Sequence, residues 1–438
     1  MPPIFSREVK HPVIFSTEPP EYQMRTSHCE VCCPAGNAIQ RTQTLIQKGQ
    51  FEEALRILRA SNPFPGITGR VCHHPCENNC NRKQFDESVS IKALERAASD
   101  YGEGTTGIIR DESTGKKVAI IGGGPAGLTS AYFLSLLGHE LTVFESSPYL
   151  GGIPRMTIRD NVLPKEIVDR EVGHVLELGI EVRLNVRVGK EISFEEIAGQ
   201  YDACLIATGT GRPIGQRPDL GFLRETKGLP FTAKGFLEID PFSMATGRPG
   251  IFAAGDCVTG ASSVAEAIGS GRRAAFSIHS YLIGERLDAL KKVYMDGAGK
   301  IFFERYPGKR RETVSQHRVT FDELMNLDYF DKKGRVKKPT PPFSLSARTL
   351  EEIDQGYDKE KAMEEAARCF HCGHCFGCGV CVDVCPGDVL AMADQQPQLA
   401  YPEECYHCGS CLIDCPASAI SFHIPLPLRV SSYPEDFF

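Results

Sequence analysis

The stretch Val118-Ala-Ile-Ile-Gly-Gly-Gly-Pro-Ala-Gly127 joins a short apolar run directly to a glycine-rich turn. A helical pattern continues from this turn through Leu137, and the next apolar run, residues 141–144, ends at Glu145. This order of strand, turn, helix, strand and acidic residue is typical of a unit that binds a dinucleotide. The stretch therefore predicts a parallel α/β sheet with its ligand at the carboxyl ends of the strands.

The residues of this turn each have a physical reason to contact such a ligand. The first glycine permits a tight turn, the second lets the main chain approach the pyrophosphate, and the third allows the helix to pack closely on the strand. The helix N-terminus then faces the phosphate charges, and the acidic residue accepts hydrogen bonds from the ribose hydroxyls. A glycine-rich turn without a ligand is the alternative, and the flanking elements disfavour it. The predicted contacts are Gly122, Gly124, Pro125, Ala126, Gly127 and Glu145.

Cysteine provides the second signal, because the 438 residues include 18 cysteines and all but Cys204 and Cys257 lie near the two ends. No export signal is recognised at the N-terminus, so we expect a cytoplasmic protein whose cysteines bind metal rather than form disulfides. No run of 18 apolar residues predicts a membrane span. The net charge of −7 gives no reason to expect nucleic acid as a partner.

Two cysteine runs near the C-terminus share the spacing C-x2-C-x2-C-x3-C-P. In bacterial two-cluster ferredoxins the first three cysteines of such a run bind one [4Fe–4S] cluster, and the fourth binds the other cluster. One cluster is therefore expected on Cys375, Cys378, Cys381 and Cys415. The other is expected on Cys405, Cys408, Cys411 and Cys385.

Zinc is the alternative metal for these runs. Zinc ribbons, however, use four ligands as two pairs, and not as two sets of three plus one. Cys369 and Cys372 extend the Cys-x-x-Cys rhythm upstream. Because both ferredoxin clusters are complete without them, we expect that they do not bind these two clusters. Binding of something else by this pair remains open.

Six further cysteines lie near the N-terminus: Cys29, Cys32, Cys33, Cys72, Cys76 and Cys80. Six thiols exceed the need of one [4Fe–4S] cluster and are two short of two clusters held only by cysteine. The residues alone therefore leave either one or two N-terminal clusters open.

The N-terminal region resembles the glutamate synthase small subunit family and the N-terminal domain of dihydropyrimidine dehydrogenase. The matching residues are Cys33-Pro-Ala-Gly-Asn, Asn62-Pro-Phe-Pro, Gly69-Arg-Val-Cys72, Pro75-Cys76-Glu77 and Val89-Ser-Ile-Lys. The resemblance implies a helical domain with two [4Fe–4S] clusters, one of which uses Glu or Gln as its fourth ligand. Carried over, one cluster would bind Cys33, Cys72, Cys76 and Glu95. A surface helix position is the alternative for Glu95.

This chain departs from that family in one respect, since the family's first motif usually has four cysteines and here it has three. A second N-terminal cluster on Cys29, Cys32 and Cys80 would therefore need a ligand from elsewhere.

Later motifs resemble the flavoproteins that have two dinucleotide-binding domains, and this resemblance implies FAD in the glycine-rich turn. The resemblance places Asp256 on the ribityl chain, Gly152 in a flavin-contacting turn and Val188 beside the adenine. Residues 261–271, including Val264, are expected to form a helix that points its N-terminus at the flavin ring. The remaining matches are Thr208, Gly209 and Gly255.

The NAD(P)H domain of the glutamate synthase family is missing, because only 45 residues separate Gly209 from Gly255. This length is too short for another complete βαβαβ unit. Binding of NAD(P) at the flavin itself remains open.

The sequence thus predicts a multidomain protein with four parts. These are an α-helical iron–sulfur domain (1–110), an α/β Rossmann-like FAD domain without the NAD(P)H insertion (111–285), a connector (286–346) and an α+β bacterial-type ferredoxin domain (347–438).

The predicted function is electron transfer between [4Fe–4S] clusters and FAD, in a subunit of an anaerobic oxidoreductase complex. The resemblance implies as partners a ferredoxin or the catalytic subunits of a complex such as the 2-oxoacid oxidoreductases, which include phenylglyoxylate dehydrogenase. A stand-alone ferredoxin- or NAD(P)H-linked reductase of a small molecule is one alternative, and a scaffold with structural clusters is another. No nucleophile or acid–base constellation is recognised, so no catalytic side chain is predicted.

Overall fold

The computed structural model describes residues 19–22, 25–102, 109–209, 218, 220–224, 226–295, 300–305, 318–339 and 352–421. Within these ranges, no helix is long and apolar enough to cross a lipid bilayer. The N-terminal residues on which the expectation about export depends lie outside the described ranges.

The N-terminal part of the chain is a group of helices that follows two short strands, β1 (Glu21–Tyr22) and β2 (Thr26–Ser27). The helices are α1 (His28–Val31), α2 (Ile39–Gln47), α3 (Phe51–Arg59), α4 (Pro65–Val71), α5 (Pro75–Asn78) and α6 (Ile91–Tyr101). In α3 the buried residues Phe51, Ala54, Leu55 and Leu58 follow the spacing of one helix face, and this face packs in the core. Gly49, with a φ of 73°, separates α2 from α3.

The middle of the chain forms a five-stranded parallel sheet. Its strands are β3 (Lys117–Ile121), β4 (Glu140–Phe144), β5 (Glu181–Arg183), β6 (Ala203–Ile206) and β7 (Ile251–Ala253). Their order across the sheet is β5-β4-β3-β6-β7. Val118 and Ile120 pack in one apolar cluster, whereas Ala119 and Ile121 pack in another. Both faces of β3 are therefore covered, which explains why this strand is apolar throughout.

Helices cover this sheet: α7 (Pro125–Leu136), α8 (Ile153–Met156), α9 (Lys165–Leu176), α10 (Phe194–Gln200), α11 (Asp256–Thr259) and α12 (Val264–Leu282). Helix α7 is buried along almost its whole length and packs against α12. A Cβ atom on Gly271 would collide with the carbonyl oxygen of Ala126. Glycine at this position therefore allows α12 to lie directly against the start of α7.

Part of the predicted connector has secondary structure of its own. Strands β8 (Leu290–Met295) and β9 (Ile301–Arg305) form an antiparallel hairpin, and the Phe303 ring lies 4.7 Å from that of Phe276 on α12. Strand β10 (Arg318–Val319) pairs in parallel with β2. These contacts fix the connector to both the sheet region and the N-terminal helices.

The C-terminal part contains α13 (Lys359–Ala366), α14 (Val380–Asp383), β11 (Leu390–Ala393), β12 (Gln396–Leu399), α15 (Ser410–Ile413) and β13 (Ile420–Ser421). Strands β11 and β12 form an antiparallel hairpin. Strand β13 pairs with β1, so a strand from near the start of the chain completes the C-terminal part.

Buried charges join the N-terminal helices to the C-terminal part. Glu365 on α13 is fully buried, and its carboxylate accepts hydrogen bonds from the main-chain N–H groups of Ser90 and Val336. The same carboxylate lies 2.7 Å from the Arg368 guanidinium, which also contacts Asp86 at 3.1 Å. Each charge has an opposite partner, which is the condition under which burial of charge is tolerated.

A second buried carboxylate joins the N-terminal helices to the sheet region. Glu171 on α9 accepts hydrogen bonds from the N–H groups of Gly66 (2.7 Å) and Ile67 (2.8 Å). These groups belong to the first turn of α4, where main-chain N–H groups have no partner within the helix. The helix is thus capped by a side chain from another part of the chain.

Substitution Glu365→Ala would leave the Arg368 charge and two main-chain donors buried without their partner. We expect the free energy of unfolding to fall by about 3–5 kcal/mol. In limited proteolysis of anaerobically purified protein, the variant should then be cleaved at a lower urea concentration than the unsubstituted protein. The neighbouring Glu364 is exposed, and Glu364→Ala should change stability by less than about 0.5 kcal/mol. Equal behaviour of the two variants would contradict the assigned role of Glu365.

Candidate functional site

The predicted FAD-binding residues lie at the carboxyl ends of four neighbouring strands. Gly122 follows β3, Glu145 follows β4, Thr208 follows β6 closely, and Gly255 follows β7. Because β4, β3, β6 and β7 are adjacent and parallel, their carboxyl ends meet at one edge of the sheet. This edge is where open parallel sheets bind their ligands.

The glycine-rich turn is formed by close main-chain contacts. Gly122 has a φ of 115°, and a Cβ atom on it would lie 2.5 Å from the carbonyl oxygen of Ala207. A Cβ atom on Gly127 would collide with the carbonyl oxygen of Gly122. The space beside Gly124 is open by comparison, since the nearest atom to a Cβ there is the Cα of Gly152 at 4.0 Å. The turn is therefore tightly packed at Gly122 and Gly127 but has free space beside Gly124.

Glu145 is fixed at the edge of this turn by two main-chain donors. Its carboxylate accepts hydrogen bonds of 2.7 Å from the N–H groups of Gly123 and Ser147. The turn at Gly151 contacts the glycine-rich turn directly, because the Gly151 N–H donates a hydrogen bond of 2.8 Å to the Gly123 carbonyl oxygen. The acidic group and the second glycine turn thus flank the same loop.

The edge of the sheet has features that fit a dinucleotide. The Thr208 Oγ1 atom is buried and has no hydrogen-bond partner among the described residues. The N-terminus of α7 presents main-chain N–H groups beside Gly124, as a pyrophosphate requires. Asp256 accepts hydrogen bonds from the N–H and hydroxyl groups of Ser262, and burial raises the pKa of its carboxyl group.

The other predicted cofactor residues are Val188, Gly209 and Val264, and they lie near the same edge in sequence or in packing. Val188 is buried in an apolar cluster with Phe144 on β4, and Gly209 follows Thr208 in the loop after β6. Val264 is the first residue of α12. The helix predicted over 261–271 therefore begins three residues later, because Ser263 caps it in a reciprocal capping box with Glu266.

The described residues between Gly209 and Gly255 contain no strand–helix–strand unit. They include a short 3₁₀ turn, Gly221–Leu223, and an isolated bridge between Phe231 and Leu237. Residues 210–217, 219 and 225 lie outside the described part of the chain.

The predicted N-terminal ligands Cys33, Cys72, Cys76 and Glu95 line one cavity. The Glu95 side chain is buried, which excludes the alternative of a surface position. Its carboxylate accepts hydrogen bonds from the Thr68 hydroxyl and, at 3.0 Å, from the Asn62 amide. Burial raises the pKa of Glu95 to about 7. The Glu95 carboxylate lies with three thiols around one cavity, and this position suits it to be the fourth ligand of a cluster.

Main-chain N–H groups point at two of these sulfur atoms. The Asn37 N–H donates to Cys33 Sγ at 3.4 Å, and the His74 N–H donates to Cys72 Sγ at 3.3 Å. Hydrogen bonds to cysteine sulfur are one of the means by which proteins set cluster potentials.

Cys29 and Cys80 line a second cavity, which Cys32 does not reach. The same cavity is lined by Cys369 and Cys372, which come from the segment immediately before the ferredoxin runs. Sequence reasoning predicted that this pair does not bind the two ferredoxin clusters, but it did not predict that the pair meets the N-terminal cysteines. The Cys-x-x-Cys spacing indicated a metal-binding pair without indicating which other residues would complete the site.

The C-terminal cysteines lie in the crossed arrangement expected of a two-cluster ferredoxin. One cavity is lined by Cys385, Cys405, Cys408 and Cys411. For the other set, burial and the neighbouring thiols of Cys415, Cys378 and Cys375 raise the pKa of Cys381 to about 12. A metal that binds such thiols replaces their protons.

No three His, Cys, Asp or Glu side chains among the described residues converge as a single metal ion would require. A zinc ion needs its four ligands around one point, whereas a cubane spreads them over four irons. Clusters are favoured over zinc by the three-plus-one spacing of the ferredoxin runs.

Comparison with known proteins assigns three regions of the chain. Residues 22–106 match the 4Fe–4S domain II of dihydropyrimidine dehydrogenase, residues 109–271 match the pyridine nucleotide-disulphide oxidoreductase family, and residues 374–419 match a 4Fe–4S dicluster domain. The chain therefore has 4Fe–4S domains in its N- and C-terminal parts and a domain of the FAD- and NAD(P)-binding type between them.

Three curated relatives illustrate the similarity. The beta subunit of NADPH-Fe(3+) oxidoreductase from Geobacter sulfurreducens is 38% identical over 49% of this chain and 31% of its own length. The beta subunit of NADP(+)-dependent formate dehydrogenase from Moorella thermoacetica is 37% identical over 42% of this chain and 29% of its own length. The NADPH glutamate synthase small chain of Bacillus subtilis is 37% identical over 57% of this chain and 52% of its own length.

The matches thus span between about a third and a half of these relatives. The helical cysteine-rich region, the parallel sheet with its glycine-rich turn and the crossed cysteine runs correspond to the three matched domains. This chain accordingly carries two 4Fe–4S domains and a domain of the pyridine nucleotide-disulphide oxidoreductase type, and over part of its length it is similar to a glutamate synthase small chain and to the beta subunits of these two oxidoreductases.

Proposed function

We propose that this chain is the electron-transfer subunit of an anaerobic oxidoreductase complex, in which it passes electrons between its [4Fe–4S] clusters and FAD. The named beta subunits of Geobacter and Moorella support a role within a complex. Its partners would be the catalytic subunits of that complex or a ferredoxin.

The contact between the Cys33 loop and helix α12 carries this proposal. A Cβ atom on Gly269 of α12 would collide with the Pro34 carbonyl oxygen. Ala265, in the first turn of α12, lines the cavity of Cys33, Cys72 and Cys76. A proposed cluster site and the helix that begins beside the FAD-binding edge are therefore in direct contact.

The protein's own residues would hold the cofactors and exclude water from the path between them. Gly124, Thr208 and Asp256 would hold the dinucleotide at the sheet edge, while Cys33 and Cys72 would hold the adjacent cluster. Bound FAD would supply the exchange between two-electron and one-electron transfer. The positive end of the α12 dipole would favour the reduced, anionic flavin.

Stepwise anaerobic reduction of the purified chain tests the proposed function. Reduced ferredoxin should generate cluster signals in electron paramagnetic resonance (EPR) spectra and also bleach the flavin absorbance. Clusters that become reduced while the flavin stays oxidised would contradict it. Complete flavin reduction by NADH or NADPH with the isolated chain, without cluster reduction, would instead favour a stand-alone reductase.

Substitution Gly124→Val tests the position of FAD. A Cβ atom on Gly124 has its nearest neighbour at 4.0 Å, and Gly124 directly precedes α7, so a branched side chain there would occupy the expected pyrophosphate position. We expect loss of most bound flavin, measured by absorbance, with unchanged iron content. The matched control is Gly173→Val, because a Cβ atom at Gly173 meets no atom within 4 Å. Full flavin retention in the Gly124 variant would show that the pyrophosphate lies elsewhere.

Substitution Glu95→Ala tests the fourth ligand of the Cys33 site. We expect a loss of about four irons, since one cubane holds four, together with one EPR signal. Glu95→Gln keeps an oxygen donor at the same place and should retain more of this iron than the alanine variant. Iron content equal to that of the unsubstituted protein in both variants would exclude Glu95 as a ligand.

A further inference from the structure

We propose that Cys29, Cys80, Cys369 and Cys372 together bind a fourth [4Fe–4S] cluster at the junction between the N-terminal helices and the C-terminal part. All four thiols line one cavity. The matched 4Fe–4S regions end at residue 106 and resume at residue 374, so neither includes Cys369 or Cys372. This proposal rests on one part of the proposed function, namely that the chain binds [4Fe–4S] clusters.

The main chain around Cys369 has the geometry of the other proposed cluster loops. His371 has a φ of 49°, and its N–H donates to Cys369 Sγ at 3.4 Å. His74 has the same relation to Cys72, with a φ of 45° and a distance of 3.3 Å. A positive φ two residues after the cysteine also occurs in the ferredoxin runs, at Gly377 and His407. Three left-handed histidines of the described chain, His74, His371 and His407, thus each follow a cysteine by two residues.

The segment around Cys32 has a different geometry. Residues 28–31 form helix α1, and the Cys32 N–H donates to the His28 carbonyl oxygen at 3.0 Å. Cys29 and Cys32 are therefore joined by a helical turn rather than by a left-handed loop. Cys29 lines the cavity, whereas Cys32 is not among its lining residues.

Polar groups around the cavity are arranged for bound sulfur. The Ser27 hydroxyl lies 3.0 Å from Cys29 Sγ, and the Asn81 amide donates to Cys372 Sγ at 3.4 Å. The Gln40 amide fixes the Cys372 carbonyl at 2.8 Å. Gln43 also lines the cavity, and its side-chain oxygen is buried without a hydrogen-bond partner among the described residues. Because amide oxygen and nitrogen assignments are interchangeable, this amide can present its N–H group to a cluster.

The position of this site makes it a link between the other clusters. Cys372 is three residues from Cys375 of a ferredoxin set, and Cys29 is four residues from Cys33. Chain segments of this length span at most about 14 Å between Cα atoms. The fourth cluster would therefore lie close both to a ferredoxin cluster and to the Cys33 site, which contacts α12. Electrons would then have a continuous series of sites from the C-terminal part to FAD.

Iron quantification and Mössbauer spectroscopy of the full chain, purified without oxygen, test this directly. Four cubanes require about sixteen irons per chain. A fully loaded protein with about twelve irons in three cubanes would overturn the fourth site while leaving the proposed function intact. Loss of the ferredoxin clusters as well would instead overturn the proposed function.

Substitutions then identify the ligands. Cys29→Ala and Cys372→Ala should each lose about four irons and the same EPR signal, and the double variant should lose no more than either alone. Cys32→Ala is the matched control and should keep all its iron. Retained FAD in each variant shows that the chain has folded. Undiminished iron in Cys372→Ala, or a loss of about eight irons in the double variant, would overturn the proposal.

Discussion

The buried charges of Arg368 and Arg82 and the carboxylates that neutralise them hold the two ends of this protein together. Arg82 contacts Asp86 at 2.6 Å, Arg368 contacts Asp86 at 3.1 Å, and Arg368 contacts Glu365 at 2.7 Å. Buried charges are stable only when all partners are in place. The network therefore holds α13 against the N-terminal helices, and in this arrangement Cys369 and Cys372 line one cavity with Cys29 and Cys80.

The sheet region imposes the second constraint. Parallel strands β3, β4, β6 and β7 end at one edge, so motifs as far apart in the chain as Gly122 and Gly255 meet there. Close glycine contacts at Gly127 and Gly271 bring α7 and α12 together. The same α12 contacts the Cys33 loop through Gly269. A helix that belongs to the dinucleotide fold thus also positions the iron–sulfur domain.

Beyond the sheet, the described residues between Gly209 and Gly255 contain no strand–helix–strand unit, and the connector that follows α12 has structure of its own. In the connector, the hairpin β8–β9 packs on α12 and strand β10 pairs with β2. The connector therefore helps to hold the proposed cluster sites in place.

The sequence by itself determined the local chemistry of the glycine-rich turn with its acidic partner and of the two ferredoxin runs, whereas the group of Cys33, Cys72 and Cys76 was implied only by the family resemblance. The turn and the runs depend on short spacing or on a repeating motif, which main-chain geometry converts directly into a site. Helix α12 was expected from the chain, although its start at Val264 required the capping contact of Ser263 with Glu266.

Only the tertiary structure decided which distant cysteines meet. Cys29 and Cys372 are separated by more than 300 residues, and no local pattern specifies their approach. Their meeting depends on buried ion pairs and on the pairing of β1 with β13 and of β2 with β10. The two Cys-x-x-Cys segments also differ in geometry, because the same spacing forms a helical turn at Cys29 and a left-handed loop at Cys369, and the spacing alone does not specify this difference.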